Sequence, residues 1–203
     1  MNNAGRRRMK LGITGGIGSG KTSVCRIFGV LGIPVFSADP EAQIIMNDDE
    51  SIISGINDIA GRNLYPGGKL DREELASLIF TDPEMLKRVN SLVHPAVFKR
   101  FLDWAEIKTT PYVIMEAAIL FESGASNFVD RVATVIAPVE ERISRVIKRN
   151  RLSREQVMER IKNQMGDEER IKLSDYVINN SENEMIIPVI LGIHEDILTH
   201  LNS

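Results

Sequence analysis

The stretch Thr14 to Ser23 reads TGGIGSGKTS, with glycines at 15, 16, 18 and 20 followed by a lysine and two hydroxyl residues. A glycine inside a regular element costs about 0.5–1 kcal/mol relative to alanine, so folding alone gives no reason to cluster them. Gly15, four intervening residues and Gly20-Lys21-Thr22 satisfy the pattern G-x-x-x-x-G-K-[ST]. In that pattern the bare backbone turns successive N–H groups inward as an anion nest, and the following helix adds its own unsatisfied N–H groups and the positive end of its dipole. The main chain of Gly16, Ile17, Gly18, Ser19, Gly20, Lys21, Thr22 and Ser23 is the expected cradle for a triphosphate. Lys21 is expected to reach the β- and γ-phosphates as a point charge, and Thr22 to offer its hydroxyl to Mg²⁺.

Other positions carry groups suited to phosphoryl chemistry, each with a plainer structural alternative. Asp39 follows a second apolar run, where a carboxylate lies at the sheet edge at which ligands of open α/β sheets gather. An aspartate before Pro40 equally suits a helix N-cap. Arg142, Arg145 and Arg149 fall at i, i+3 and i+7, which serves either a solvated face paired with Glu140 and Glu141 or a clamp on phosphate oxygens. His94 precedes Pro95 inside a helical pattern, the place of a buried structural histidine at a bend. Asp71 with Glu74 reads as a capping box, and Arg72 stands beside it. Glu116 ends the third apolar run, where an acidic group can hold metal-bound water, and Cys25 reads as packing.

These residues need elements to hold them. Lys10 to Thr14 is a strand pattern ending at the glycines, and Val24, Ile27, Phe28 and Leu31 mark a helix that Gly32-Ile33-Pro34 stops. Ile33 to Phe36, Tyr112 to Met115, Val132 to Ile136 and Tyr176 to Ile178 read as four more strands, separated by helix-length segments. Strands spaced by helices imply crossovers and a parallel sheet covered on both faces, an α/β fold. Between the second and third strands the chain reads as helical: Asp39 to Asn47, Ser51 to Ala60, a helix opened by Asp71 and running through Phe80, and a long one after the Asp82-Pro83 start. From Glu140 to Gln164 it is helical and rich in arginine, with a break near Asn150 and a second capping box at Ser153 and Gln156.

Composition limits the classes. The chain of 203 residues is 43% hydrophobic and 26% charged, ordinary for a folded globular protein, and its net charge of −3 gives no whole-chain attraction to nucleic acid or an anionic membrane. One cysteine excludes an internal disulfide and fits a reducing, cytoplasmic location. No apolar run approaches the roughly eighteen residues needed to cross a bilayer. Residues 1–8, with Arg6-Arg7-Arg8, read as a disordered extension ahead of Met9. A monomer or small homo-oligomer is expected.

The loop alone does not distinguish enzyme from regulator. An N-K-x-D segment for guanine and an L-S-G-G-Q signature for transport are both missing from the sequence. TGGIGSGK, Ala38-Asp39, Leu70-Asp71-Arg72, His94-Pro95, Ile119-Leu120-Phe121-Glu122, the stretch Arg149 to Gln164, and Asp175 with Asn179-Asn180 together resemble the dephospho-CoA kinase family, in order and over almost the whole chain. The resemblance implies a P-loop NTPase fold: a five-stranded parallel sheet flanked by helices, with a nucleotide-binding core (9–38, 111–139, 168–203), a helical CoA/acceptor-binding insertion (39–110) and an arginine-rich lid (140–167). It implies ATP and dephospho-CoA as substrates, Mg²⁺, and transfer of the γ-phosphate to the ribose 3′-hydroxyl. It implies catalytic roles for Lys21, Asp39 and Arg149, nucleotide contacts from Arg145 and Asn179, and acceptor contacts from Asp39, Arg72 and His94. Ser37 stands at the first aspartate of the family's D-A-D motif, Ala118 where the family often has proline, and Asn150-Arg151 where it has a small turn. A nucleoside monophosphate or small-metabolite kinase, and a nucleotide-binding regulator without acceptor turnover, are the alternatives.

Overall fold

A computed structural model describes residues 8–150 and 152–202. Arg6, Arg7 and Arg151 therefore lie outside the described residues. Arg8, assigned above to the extension, is tied down: its guanidinium donates to the backbone carbonyls of Thr110, Ala105 and Glu106.

Five strands, β1 (Met9–Thr14), β2 (Val35–Ser37), β3 (Tyr112–Glu116), β4 (Arg131–Ile136) and β5 (Tyr176–Asn179), form one parallel sheet in the order β2-β3-β1-β4-β5. All five expected strands are present; the second begins two residues late, because Ile33 N still bonds back to Phe28 O of α1 (Lys21–Val30) and Pro34, whose carbonyl already accepts Ile114 N, has no N–H to donate. Tyr112 to Met115 are fully buried in succession, as a strand covered on both faces requires. On one face Leu11, Ile13, Ile114, Ala133, Val135 and Ile178 pack with Val24, Cys25 and Phe28 of α1 and with Ile190, Ile193 and Ile197 of the terminal helix α9 (Ile186–Asn202). Tyr112 joins the layers: its ring meets Phe28 edge-on at 6.5 Å, and its hydroxyl lies 2.7 Å from His194 Nδ1.

The described chain divides into two compact units, one of residues up to Ser37 and from Trp104 onward, the other Ala38–Asp103. The second unit is helical: α2 (Ala38–Asp48), α3 (Glu50–Ala60), α4 (Arg72–Thr81) and most of α5 (Pro83–Glu106). Asp49 caps α3 through Ser51 N (2.9 Å) and Ile52 N (3.3 Å), and Asp71 caps α4 through Glu74 N (3.0 Å). Tyr65 anchors the connection by donating its hydroxyl to Met46 O at 2.8 Å. Helix α5 continues through Pro95, although that residue leaves the Ser91 carbonyl without its usual helical donor. After β4 come α6 (Val139–Asn150), α7 (Arg154–Lys162) and a short α8 (Asp167–Lys172). Ser153 and Gln156 form the expected capping box on α7; α8 was not anticipated.

Candidate active site

The glycine loop joins the C-terminal end of central strand β1 to α1. Gly20 occupies the N-cap of that helix in the left-handed region (φ 97°) and provides no side-chain cap. A Cβ there would lie 2.0 Å from Asn180 Nδ2, so both backbone angle and space demand glycine. Asn180 uses that closeness, donating Nδ2 to Ser19 O at 2.7 Å. The helix end so formed suits an anion.

Lys21 begins α1, with Nζ donating to Gly15 O at 2.7 Å and to Gly16 O at 3.4 Å. Thr22, one residue on, donates its hydroxyl to Glu116 Oε1 at 3.1 Å, and Ser37 donates to Glu116 Oε2 at 2.9 Å. Glu116 ends β3 and lies in register with Ser37 on one neighbouring strand and Ile13 on the other. Its carboxylate thus fixes the Thr22 hydroxyl and the end of β2 together. Ser37, in place of a carboxylate, serves as a donor to Glu116.

The arginine-rich segment approaches the loop from its other side. Arg142 is 3% exposed, which overturns the solvated-face reading for this residue. Its Nε donates to Ile17 O at 2.9 Å and its Nη1 to Asp167 Oδ2 at 3.0 Å. Burial pulls its guanidinium below the ordinary arginine value, opposed by Asp167 and reinforced by Arg170. Arg170, fully buried, contacts Asp167 Oδ1 at 3.2 Å and Glu122 Oε1 at 3.3 Å. Gln164 accepts the Ile17 N–H at 2.8 Å. The N–H of Ile17, expected above to face phosphate, and its carbonyl are therefore both held by side chains in this structure.

Arg145 donates Nη2 to Glu141 (2.8 Å) and to Asn180 O (2.9 Å), while its Nη1 is buried without a hydrogen-bond partner. Asn180 rather than Asn179 touches the loop; Asn179 is exposed. Arg149 lies exposed on the last turn of α6.

In the helical unit, Asp39 is exposed in the first turn of α2, which begins at Ala38, so it is not an N-cap. Arg72 donates to Gln43 Oε1 at 3.0 Å. His94 is half-buried with its ring 5.9 Å from that of Phe98, and burial lowers its proton affinity. Cys25 is buried in the sheet core and its thiol is pushed well up by burial, in keeping with packing.

Sequence reasoning missed Gln164 and gave Arg142 the wrong environment. Gln164 stands in no periodic or charged pattern that would mark it. Arg142 had one usable signal: it lies one residue before Ile143 and four before Val146, both buried, on the inner face of α6.

Among the described residues no helix is long and apolar enough to cross a membrane, and no group of three or more His, Cys, Asp or Glu could hold a metal ion. A family model described as dephospho-CoA kinase matches residues 9–185. The chain is 40% identical over 184 residues to a Bacteroides fragilis protein named dephospho-CoA kinase, covering 90% of each chain. It is 35% identical over 175 residues to a Fusobacterium nucleatum protein of the same name, covering 86% of this chain and 91% of that one. A crystal structure of a Thermus thermophilus protein superposes with a TM-score of 0.82 at 33% identity, covering 98% of this chain and 100% of that one.

Proposed function

The chain belongs to the dephospho-CoA kinase family, a P-loop NTPase fold, and on that premise we infer that it transfers the γ-phosphate of ATP to the ribose 3′-hydroxyl of dephospho-CoA, giving coenzyme A and ADP. The observation that carries the chemistry is the uncapped glycine-ended helix α1, with Lys21 on its first turn donating to the loop carbonyls and Thr22 and Ser37 fixed on Glu116.

The loop N–H groups bind the phosphate chain, and Lys21 exchanges its bonds to Gly15 O and Gly16 O for β- and γ-phosphate oxygens. The hydroxyl of Thr22 and, through water, the Glu116 carboxylate form a hard-oxygen donor set that fits Mg²⁺, which keeps most of its waters and takes few protein ligands. When bound, Mg²⁺ neutralises charge on the β- and γ-phosphates. Asp39, two residues beyond the end of β2, orients the acceptor hydroxyl and takes its proton. The 3′-oxygen forms its bond to the γ-phosphorus as the bond from that phosphorus to the bridging oxygen breaks, and ADP leaves. Arg149 clamps the transferring oxygens bidentately, Arg145 holds the nucleotide with Asn179, and Arg72 and His94 contact the acceptor.

A coupled assay of ADP release on purified protein tests the reading. Turnover requiring both ATP and dephospho-CoA is expected. Failure with dephospho-CoA beside turnover of another alcohol acceptor would refute it.

A further inference from the structure

Two bonds to the backbone of Ile17 act on two successive peptide planes. The N–H of Ile17, in the plane shared with Gly16, points to Gln164 Oε1 at 2.8 Å. The carbonyl of Ile17, in the plane shared with Gly18, points to Arg142 Nε at 2.9 Å. In a trans peptide the N–H and C=O point opposite ways. Holding the Ile17 N–H therefore aims Gly16 O the other way, and that oxygen accepts Ser19 N at 3.1 Å and Lys21 Nζ at 3.4 Å. Holding Ile17 O likewise turns the Gly18 N–H away from Arg142. With both planes fixed, the φ and ψ of Ile17 are fixed too.

The groups that hold these planes are themselves anchored. Gln164 is followed by Met165, whose N–H donates to Glu122 Oε1 at 3.1 Å, and by Asp167, which joins Arg142 and Arg170. The segment is tied down on the C-terminal side of the glutamine by this ionic cluster. On its N-terminal side Gln164 N donates to Ile161 O at 3.3 Å and Asn163 caps α7. A surface glutamine on a loose loop would exchange freely with water. This one is half-buried on a fixed turn.

We propose that Gln164 is a positioning residue for the nucleotide loop: by accepting the Ile17 N–H it sets the direction of Gly16 O and, jointly with Arg142, of the Gly18 N–H, and so the fit of the loop to the phosphates. This rests on the kinase reading, but its test does not depend on the acceptor. Arg142 is a poor probe of nucleotide binding, because its removal also disturbs Asp167 and Arg170 and lowers stability in its own right, a cost that only a cycle of stability measurements subtracts. Gln164→Met keeps length and bulk and removes the amide, of which the oxygen holds Ile17 N; Gln164→Glu loses the NH2 but keeps the acceptor.

The test combines steady-state kinetics, ATP calorimetry, thermal melting and amide hydrogen exchange at Ile17. In Gln164→Met, loss of one ordinary hydrogen bond is expected to weaken ATP binding and raise its KM about fivefold, leave the dephospho-CoA KM unchanged, lower the melting temperature by no more than about 2–4 °C, and speed exchange of the Ile17 amide. Gln164→Glu restores protection of that amide. Wild-type ATP affinity in Gln164→Met overturns the proposal, as does an equal rise in both KM values with a larger fall in melting temperature, or an Ile17 amide unprotected in the wild type. Wild-type protein that binds ATP but fails to turn over dephospho-CoA would sink the kinase reading while the calorimetric and exchange results still decide the role of Gln164.

Discussion

Replacing Gly16 with alanine tests how tightly the loop is packed against Arg142. An alanine Cβ at that position would lie 1.9 Å from Nη2, 2.5 Å from Cζ and 3.0 Å from Nη1 of Arg142. A flexible arginine on the surface would swing aside, but this one is buried and committed to Ile17 O and Asp167. Moving it breaks two charge-assisted hydrogen bonds, each worth about 1.5–3 kcal/mol, and leaves a buried charge poorly paired, for a loss of about 3–5 kcal/mol. At about 2–4 °C per kcal/mol for a chain of this size, Gly16→Ala should lower the melting temperature by roughly 6–20 °C. Gly29→Ala is the control: inside α1, with open space where its Cβ would stand, it should be neutral or stabilising by about 0.4–1 kcal/mol. A double-mutant cycle identifies the obstacle, since in an Arg142→Met background the cost of Gly16→Ala should fall below about 1 kcal/mol. Urea and thermal unfolding both read it. A Gly16→Ala protein as stable as wild type, or a loss undiminished when Arg142 is absent, would refute the reasoning.

Lys21→Ala should cut turnover at least about a hundredfold while the protein still folds, since its ammonium donates to the carbonyls of Gly15 and Gly16 in the loop rather than to the sheet core; retained activity would contradict the loop assignment. Asp39→Asn should lower kcat by about 10²–10⁴ with the acceptor KM nearly preserved, whereas a change confined to KM would make Asp39 a binding residue. Glu116→Gln presents an amide where Thr22 and Ser37 both donate, and should raise the Mg²⁺ concentration for half-maximal rate about tenfold or more. An unaltered Mg²⁺ titration would remove Glu116 and Thr22 from the metal's surroundings.

Much of the core was readable because its signals are local. Strand runs such as Tyr112 to Met115, caps at Asp71 and Ser153, and the glycine pattern before Lys21 each act over a few residues, and each appears where expected. What resisted reading depends on residues far apart in the chain. Gln164 and Ile17 are separated by 147 positions, and Arg142 and Ile17 by 125; nothing in the neighbourhood of either side chain declares its partner. Arg142 looked like a surface residue because arginine is seldom buried unless paired, and its partner Asp167 lies on a short helix with too few turns to show a periodicity. Pro95 lies inside a long helix as read, since a single lost hydrogen bond is small beside the packing of 24 residues.

The central strand carries a kinetic consequence. β1 is synthesised early, yet its two neighbours arrive about a hundred residues later, with Met9 opposite Tyr112 and Leu11 opposite Arg131. Pairings that remote must close a large loop before any contact rewards it, which slows folding and leaves an unpaired apolar strand waiting on the nascent chain. The strand that leads into the nucleotide loop must thus wait unpaired until most of the polypeptide has been made.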